Sequence, residues 1–390
     1  MRILHFSDVH IGVENYGHID PETGLSTRLG DFLSTFDEVV SYATLNNIDL
    51  VLFCGDAYKN RDPSQTHQRE FAKRIARLSD EGIPTFLLMG NHDMPHTISR
   101  ATALEIFRTL DVRNVYTGDI LKTYLVDTKD GPIQIVGLPW IRRSEFLTRD
   151  DTRGLTTEQV SEKIQKTLAD AVRSHADNLD KNIPAIFAGH VTVSGSVTSS
   201  EKSMMLGNDH VLLKSDVALP EFDYVALGHI HRHQILNQNP YVVYSGSLER
   251  VDFGEQNDQK GFCIIDIDPE KPLGERLQEF EFKPVEARNF STISVDIEVE
   301  DTDPTTTVIN TIVNNPIENN IVRVIINIPG ELEQFLREAD IRNALKKAHY
   351  VSSISIRANI ETRTRLGHDY TENISPINAL KLYLDSRSVP

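Results

Sequence analysis

Residues 224–233 read YVALGHIHRH: a short apolar run, a glycine, and then histidines at 229, 231 and 233. An apolar run this short and bounded by glycine reads as a buried strand, and alternation at period two sends the three rings to one side just past its end. A lone histidine is more often structural than a ligand, so the cluster gains meaning only from partners elsewhere. The same pattern of apolar run, glycine and polar donors recurs as CGD (54–56), MGNHD (89–93) and AGH (188–190), and the first strand runs directly into SDVH (7–10). Ligands of open α/β sheets collect beyond the carboxyl ends of strands. The repetition therefore indicates both the fold class and the place of a site.

Working outward, candidate strands fall at 2–6, 50–54, 85–89, 133–136, 185–188, 224–227 and 262–267, separated by amphipathic helical stretches at 29–45, 64–79, 98–110 and 157–178. This is an α/β alternation. Near residue 283 the pattern changes to strand (291–299), helix (305–313), strand (321–328), helix (332–348) and strand (352–358), which predicts a separate small α+β domain. The expected organisation is a main domain over 1–282, a small domain over 283–366 and a segment 367–390. That last segment carries the stripe Ile377, Leu380, Leu382 and Leu384 and reads as the truncated start of a linker or partner-binding element.

Composition bounds the rest. With 390 residues, 39% hydrophobic and 25% charged, the chain has the make-up of a globular protein, and no segment approaches the roughly 20 apolar residues that span a bilayer. The N-terminus lacks a secretion signal, and Cys54 and Cys263 sit singly in apolar runs, so a cytoplasmic protein with reduced thiols is expected. A net charge of −17 argues against a broadly basic nucleic-acid surface. It suits carboxylates that hold divalent cations, whose own charge is not in that sum.

The strand-end donors are Asp8, His10, Asp56, Asn91, His92, Asp93, His190, His229 and His231, all oxygen or imidazole groups. With no cysteine among them they suit manganese, iron or zinc with open positions, rather than a structural zinc site. In DxH and HxH both side chains share one face of an extended segment, so each pair can reach one ion. Any one of these is plausible as a turn residue; five such segments at five strand ends are not.

The series SDVH, GD, GNHD, GH, GHxH resembles the calcineurin-like metallophosphoesterases, and MRILHFSDVHIG with YSGSLERVDFGE resembles their SbcD-type DNA double-strand-break repair nucleases. The resemblance implies a two-sheet β-sandwich flanked by helices, with a small DNA-binding capping domain. It implies two divalent ions, with Mn2+ the expected metal: one on Asp8, His10, Asp56 and His231, the other on the bridging Asp56 with Asn91, His190 and His229. A bridging carboxylate fits, since closely spaced ions need one shared acceptor. The reaction implied is hydrolysis of a phosphodiester by a metal-activated water, exonucleolytic and endonucleolytic, with His92 as the catalytic histidine. Asp93 either orients that ring or caps the following turn. Many relatives have a histidine three residues after the bridging aspartate, where this chain has Lys59, which puts the balance of the two activities in question.

Basic residues near the motifs, Lys59, Arg61, Arg100, Arg142, Arg143, Lys202, Arg232 and Arg250, are candidate DNA contacts, and recognition through phosphate predicts sequence independence. His233 is expected to face solvent or the DNA backbone. The resemblance also implies a homodimer and an SbcC-type coiled-coil ATPase partner. The apolar stripes of 64–79 and 98–110, with Phe71, Ile75, Leu104 and Phe107, are the candidate dimer surface. Two other readings remain: a metallophosphatase or small-nucleotide phosphodiesterase with the same ions, and a non-catalytic scaffold. Intact ligand positions weigh against the scaffold, and the extra domain weighs against a small substrate.

Overall fold

A computed structural model of the protein describes residues 1–95, 100–142, 154–201, 211–359 and 377. Two compact units are present: Met1–Ser291 with Asn319–Ile321, and Thr292–Glu318 with Val322–Pro390.

The strands of the first unit begin with β1 (Arg2–Phe6), β2 (Leu50–Phe53), β3 (Thr85–Leu88), β4 (Val115–Gly118), β5 (Lys122–Thr128), β6 (Gly131–Leu138) and β7 (Ala185–His190). They continue with β8 (Thr192–Val193), β9 (Val211–Leu212), β10 (Tyr224–Gly228), β11 (Gln234–Gln238), β12 (Tyr241–Tyr244), β13 (Gly261–Ile267) and β14 (Leu277–Pro284). Among the described residues its helices are α1 (Thr27–Leu45), α2 (Gln65–Asp80), α3 (Glu105–Thr109), α4 (Thr157–Asp177) and α5 (Lys214–Val217).

Two six-stranded sheets form, in the orders β14-β13-β1-β2-β3-β4 and β11-β12-β10-β7-β6-β5. Period-two alternation explains why they stack. On β1 and β2, Ile3, Leu50 and Leu52 point into a core shared with Ile135, Ile186, Tyr224, Ala226 and Val243 of the other sheet. Their neighbours Leu4, Phe6, Val51 and Phe53 face outward, against Leu29, Leu33, Phe36, Phe71 and Ile75 of α1 and α2. The second sheet is covered likewise by Ile164, Leu168 and Val172 of α4. The result is a sandwich of two sheets between two helical layers, whose central strands are buried on both faces and so read as unbroken apolar runs. The edge strands β4, β5, β11 and β14, short or rich in polar residues, escaped the sequence reading, as did the four-residue β12.

Helices α2 and α4 start where side chains satisfy their free N–H groups, whereas Ser26 before α1 makes no such bond. The Ser64 side chain accepts from His67 N before α2, and Thr156 and Gln159 form a capping box before α4. The stretch expected to be helical from Ile98 contains, among described residues, only the short α3. One expectation is corrected here: Phe71, Ile75, Leu104 and Phe107 are no dimer surface, because all four are buried in the chain's own helix–sheet core.

The first unit runs past the boundary expected near residue 283. Pro284 still pairs with Gly261, and Arg288 binds Asp31 of α1 through Nε at 2.7 Å. In the second unit β15 (Phe290–Asp296), β16 (Ile321–Pro329) and β17 (Tyr350–Asn359) form one sheet. Its core joins Ile293, Val295, Val322 and Val324 to Val308 and Ile312 of α6 (Pro304–Val313) and Ile341 of α7 (Glu338–Ala344). The single helix expected over 332–348 is instead a 3-10 turn, Glu333–Phe335, followed by α7. Thr305 accounts for the break: its hydroxyl donates to Phe335 O at 3.0 Å and accepts from Arg337 N at 3.0 Å, holding the chain extended between them. Of the expected C-terminal stripe only Ile377 is among the described residues. No described helix is long and apolar enough to cross a membrane.

One buried polar residue ties the sheets together. His5 of β1 is wholly buried, with Nδ1 3.1 Å from the Tyr224 hydroxyl and Nε2 3.2 Å from Leu227 O. A carbonyl only accepts, so Nε2 carries the proton and the ring is neutral. Burial pulls its pKa down to about 3. The unfolded state then binds a proton that the folded state refuses, so this contribution is present above pH ~6.5 and is lost as the pH falls toward 3, at about 1.4 kcal/mol per pH unit. Denaturant titrations across that window should show a shallower loss of stability in His5→Phe than in wild type; parallel slopes would refute the assignment.

Candidate metal centre

The carboxyl ends of β1, β2, β3, β7 and β10 deliver the polar segments to one place. Parallel pairing sets Phe6 beside Phe53, Phe53 beside Leu87, and His190 beside Gly228, so the chains leave the sheets at matching heights. Asp8, His10, Asp56 and Asn91 follow strands of the first sheet; His190, His229 and His231 come from the second. Asp8, His10, Asp56, His190, His229 and His231 are all buried.

The backbone that presents them is strained. Asp8, His10, Asp56 and His229 have φ of 54°, 48°, 61° and 97°, a region that side-chain-bearing residues seldom occupy. Such strain persists where surrounding structure imposes it and is concentrated at functional sites. The turns also touch: a Cβ on Gly90 would strike Asp56 Oδ1 and Asp56 N. Gly90→Ala must push apart the two turns that carry Asp56 and Asn91, at about 1–3 kcal/mol. A lowered melting temperature with weakened ion uptake is expected; an unchanged melt would contradict the contact.

The donor set fits cations. His190 Nδ1 donates to Cys54 O at 2.7 Å, which leaves the neutral ring with a lone pair on Nε2. That lone pair faces Asn91 Oδ1 at 3.0 Å and Asp56 Oδ2 at 3.4 Å, and His229 Nδ1 lies 3.1 Å from the same Asn91 oxygen. On the other side, His231 Nδ1 donates to Glu255 Oε1 at 2.7 Å, and its Nε2 meets His10 Nε2 at 2.9 Å. With these rings neutral, as ligation requires, acceptors face acceptors, an arrangement that a proton or a cation relieves. Four groupings of donors result among the described residues: Asp8, His10 and His231; Asp56, His190 and His229; His10, Asp56 and His92; and, behind His231, Glu201, His231 and Glu255.

The electrostatics agree. Burial opposes charge on His190, yet the Asp56 and Asp8 carboxylates raise its pKa to about 9. Burial likewise opposes charge on His231, and Glu255 overcomes it, again to about 9. Burial would lift Asp56 too, but His190 and His92 hold it well below the usual carboxylate range. Asp8 goes the other way, raised chiefly by burial. The pocket draws positive charge toward Asp56.

Around this centre, His92 donates its backbone N–H to Asp56 Oδ1 at 2.8 Å, and its ring Nδ1 donates to Lys59 O at 2.6 Å. The Lys59 carbonyl therefore orients the ring and leaves Nε2 for chemistry. Asp93 lies with the backbone instead, accepting from Asp56 N (2.8 Å), Ala57 N (3.0 Å) and Gly90 N (2.9 Å). It clamps the two turns, and burial raises its carboxyl to about 7.

The basic residues divide. Arg61 donates to Asn91 O at 3.2 Å and Arg142 to Pro95 O, so both brace the GNHD loop. Arg232 is partly exposed and pairs with Asp258 at 2.8 Å. Arg100 is exposed opposite Asp62. Arg250 is no DNA contact: it is spent on the carbonyls of Ala287, Arg288 and Asp258, and burial lowers its pKa. His233 also turns inward, bonded to Tyr244 O at 2.9 Å and stacked on Phe282 at 4.0 Å. Arg143 and Lys202 lie outside the described residues.

Sequence reasoning missed the support behind the ligands. Ser7 Oγ donates to Asp8, Glu255 holds His231, and Lys260 Nζ lies 2.7 Å from Glu255. Glu255 ends the stretch YSGSLERVDFGE, but its neighbours Gly254 and Gln256 carry no local sign that the acid is buried.

The family model for calcineurin-like phosphoesterases matches residues 1–233. Among curated relatives, the SbcD component of nuclease SbcCD from Staphylococcus epidermidis is 26% identical over 70% of this chain and 68% of its own length. Its counterpart of the same name from Escherichia coli K12 is 25% identical over 68% of this chain and 64% of its own length. DNA double-strand break repair protein Mre11 of Thermoplasma acidophilum is 26% identical over 68% and 61%. The matched residues 1–233 contain each strand-end segment that converges on Asp56, and the chain belongs to the calcineurin-like phosphoesterase family.

Proposed function

We infer that this protein is a metal-dependent DNA nuclease acting in double-strand-break repair. The observation that carries the chemistry is the convergence of imidazole and amide lone pairs on Asp56; the relatives' names carry the substrate. Asp8, His10, Asp56 and His231 would hold one ion, and Asp56, Asn91, His190 and His229 the other. When bound, two divalent ions, with manganese the metal that the family resemblance implies, would supply positive charge to a phosphodiester and acidify a water for attack.

The chain's own groups do the rest. Ser7 and the His229 N–H, 3.0 Å from Asp8 Oδ2, hold Asp8 in place. His92, fixed through Nδ1 by Lys59 O, presents Nε2 to protonate the departing oxygen. Lys59, Arg100 and Arg232 remain, among the described residues, as phosphate contacts, and the second unit is the DNA-binding cap. A homodimer and an SbcC-type ATPase partner complete the reading, with action in the cytoplasm.

The test is manganese-dependent cleavage of linear duplex, hairpin and circular single-stranded DNA beside a small chromogenic phosphodiester. Cleavage of DNA supports the nuclease. Turnover of the small diester alone would replace it with a phosphodiesterase. Sedimentation of a monomer at micromolar concentration would remove the dimer.

A further inference from the structure

We propose that the buried Glu255–Lys260 pair is a positioning device for His231, which sets the affinity of the ion shared with Asp8 and His10 and leaves the ion at Asn91, His190 and His229 unaffected. The proposal rests on the two-ion reading above.

Glu255 is fully buried and uses both oxygens. Oε1 accepts from His231 Nδ1 at 2.7 Å and from Ser200 Oγ; Oε2 accepts from Lys260 Nζ at 2.7 Å and Val251 N at 3.1 Å. Lys260, also buried, donates to His231 O at 3.1 Å and Ser247 Oγ at 2.8 Å. The ammonium thus grips the backbone of His231 while the carboxylate it neutralises grips the ring. The proton is fixed on Nδ1 and the lone pair of Nε2 is aimed at His10 and Asp8.

Removing one partner of a buried ion pair leaves an uncompensated charge, so the role of the pair at His231 is isolated only when both charges are removed together. Glu201, His231 and Glu255 also lie close enough together to suggest a third cation site. Lys260 already supplies the positive charge there, which removes that alternative. The other imidazole of the group, His10, has a buried Nδ1 without a hydrogen-bond partner among the described residues. Orientation of the pair therefore falls on His231. On the opposite side the same task is done by a backbone group, Cys54 O on His190, which no side-chain change at Glu255 touches. Carboxylates behind ligating histidines typically contribute about 10–100-fold to metal affinity.

The experiment titrates metal-stripped protein with Mn2+, following free ion by electron paramagnetic resonance and the fluorescence of Trp140. This is the chain's one tryptophan, with its ring 5.1 Å from that of His229, so its quenching reports the far ion. Wild type should take up two ions. In Glu255→Gln one binding step should weaken by about 10–100-fold, with Trp140 quenching unmoved. Glu255→Gln combined with Lys260→Met, which removes both charges together, should show the same one-site loss and decides the matter if the single variant does not fold. Unchanged isotherms, or equal weakening of both steps, would overturn the proposal. Failure of wild type to bind two ions would instead overturn the two-ion reading.

Discussion

Asp56→Ala should abolish manganese-dependent DNA cleavage, with a drop beyond the ~10²–10³-fold that loss of one oxyanion donor costs. Asp56 reaches both groups, with Oδ2 3.4 Å from His190 Nε2 and 3.7 Å from His10 Nε2. Its Oδ1 also fixes the His92 N–H at 2.8 Å. Removing it disconnects both halves of the centre and loosens the GNHD turn. Asp56→Asn separates these effects, since an amide oxygen can keep the His92 bond but cannot serve two cations as a carboxylate does. We expect Asn to preserve the metal-free melting temperature and still bind at most one Mn2+. Two ions bound with full activity in Asp56→Asn would exclude Asp56 as the bridge.

The second large effect is at His92, where alanine should reduce cleavage of DNA by about 10²–10⁴-fold, the usual contribution of a general acid. The decisive comparison is between leaving groups. A deoxyribose oxygen needs a proton as it departs, and a nitrophenolate does not. His92→Ala should therefore slow DNA cleavage far more than hydrolysis of a nitrophenyl diester, while Mn2+ uptake stays at two ions. An equal loss on both substrates would assign His92 to charge stabilisation instead of proton delivery.

Much of this site was legible in the sequence because its donors follow directly on apolar strands. Where Leu50–Phe53 or Tyr224–Gly228 ends, the next polar residue has nowhere to go but the sheet's carboxyl edge. The α/β class followed from the same runs. What was hidden depends on packing between distant segments. Glu255 meets His231 across 24 positions, and nothing local distinguishes it from a surface acid. Arg250 resembled a phosphate contact because basic residues near motifs usually face solvent, but three carbonyls enclose it. Phe71 and Ile75 show the same ambiguity, since an apolar helical stripe reads alike whether it meets its own sheet or a second copy. Asp93 had two readings that only the positions of Asp56 N, Ala57 N and Gly90 N could separate.

The division of the ligands between the sheets has a consequence for the folded state as a whole. Asp8, His10, Asp56 and Asn91 belong to one sheet, and His190, His229 and His231 to the other. A cation held by members of both is a cross-brace between halves that otherwise adhere through apolar packing. By mass action, an occupant present at about a hundred times its dissociation constant deepens the native well by about 2.7 kcal/mol. Loading the centre and closing the sandwich are thus one equilibrium, so the ions that equip this protein for phosphate chemistry also act as rivets between its two sheets.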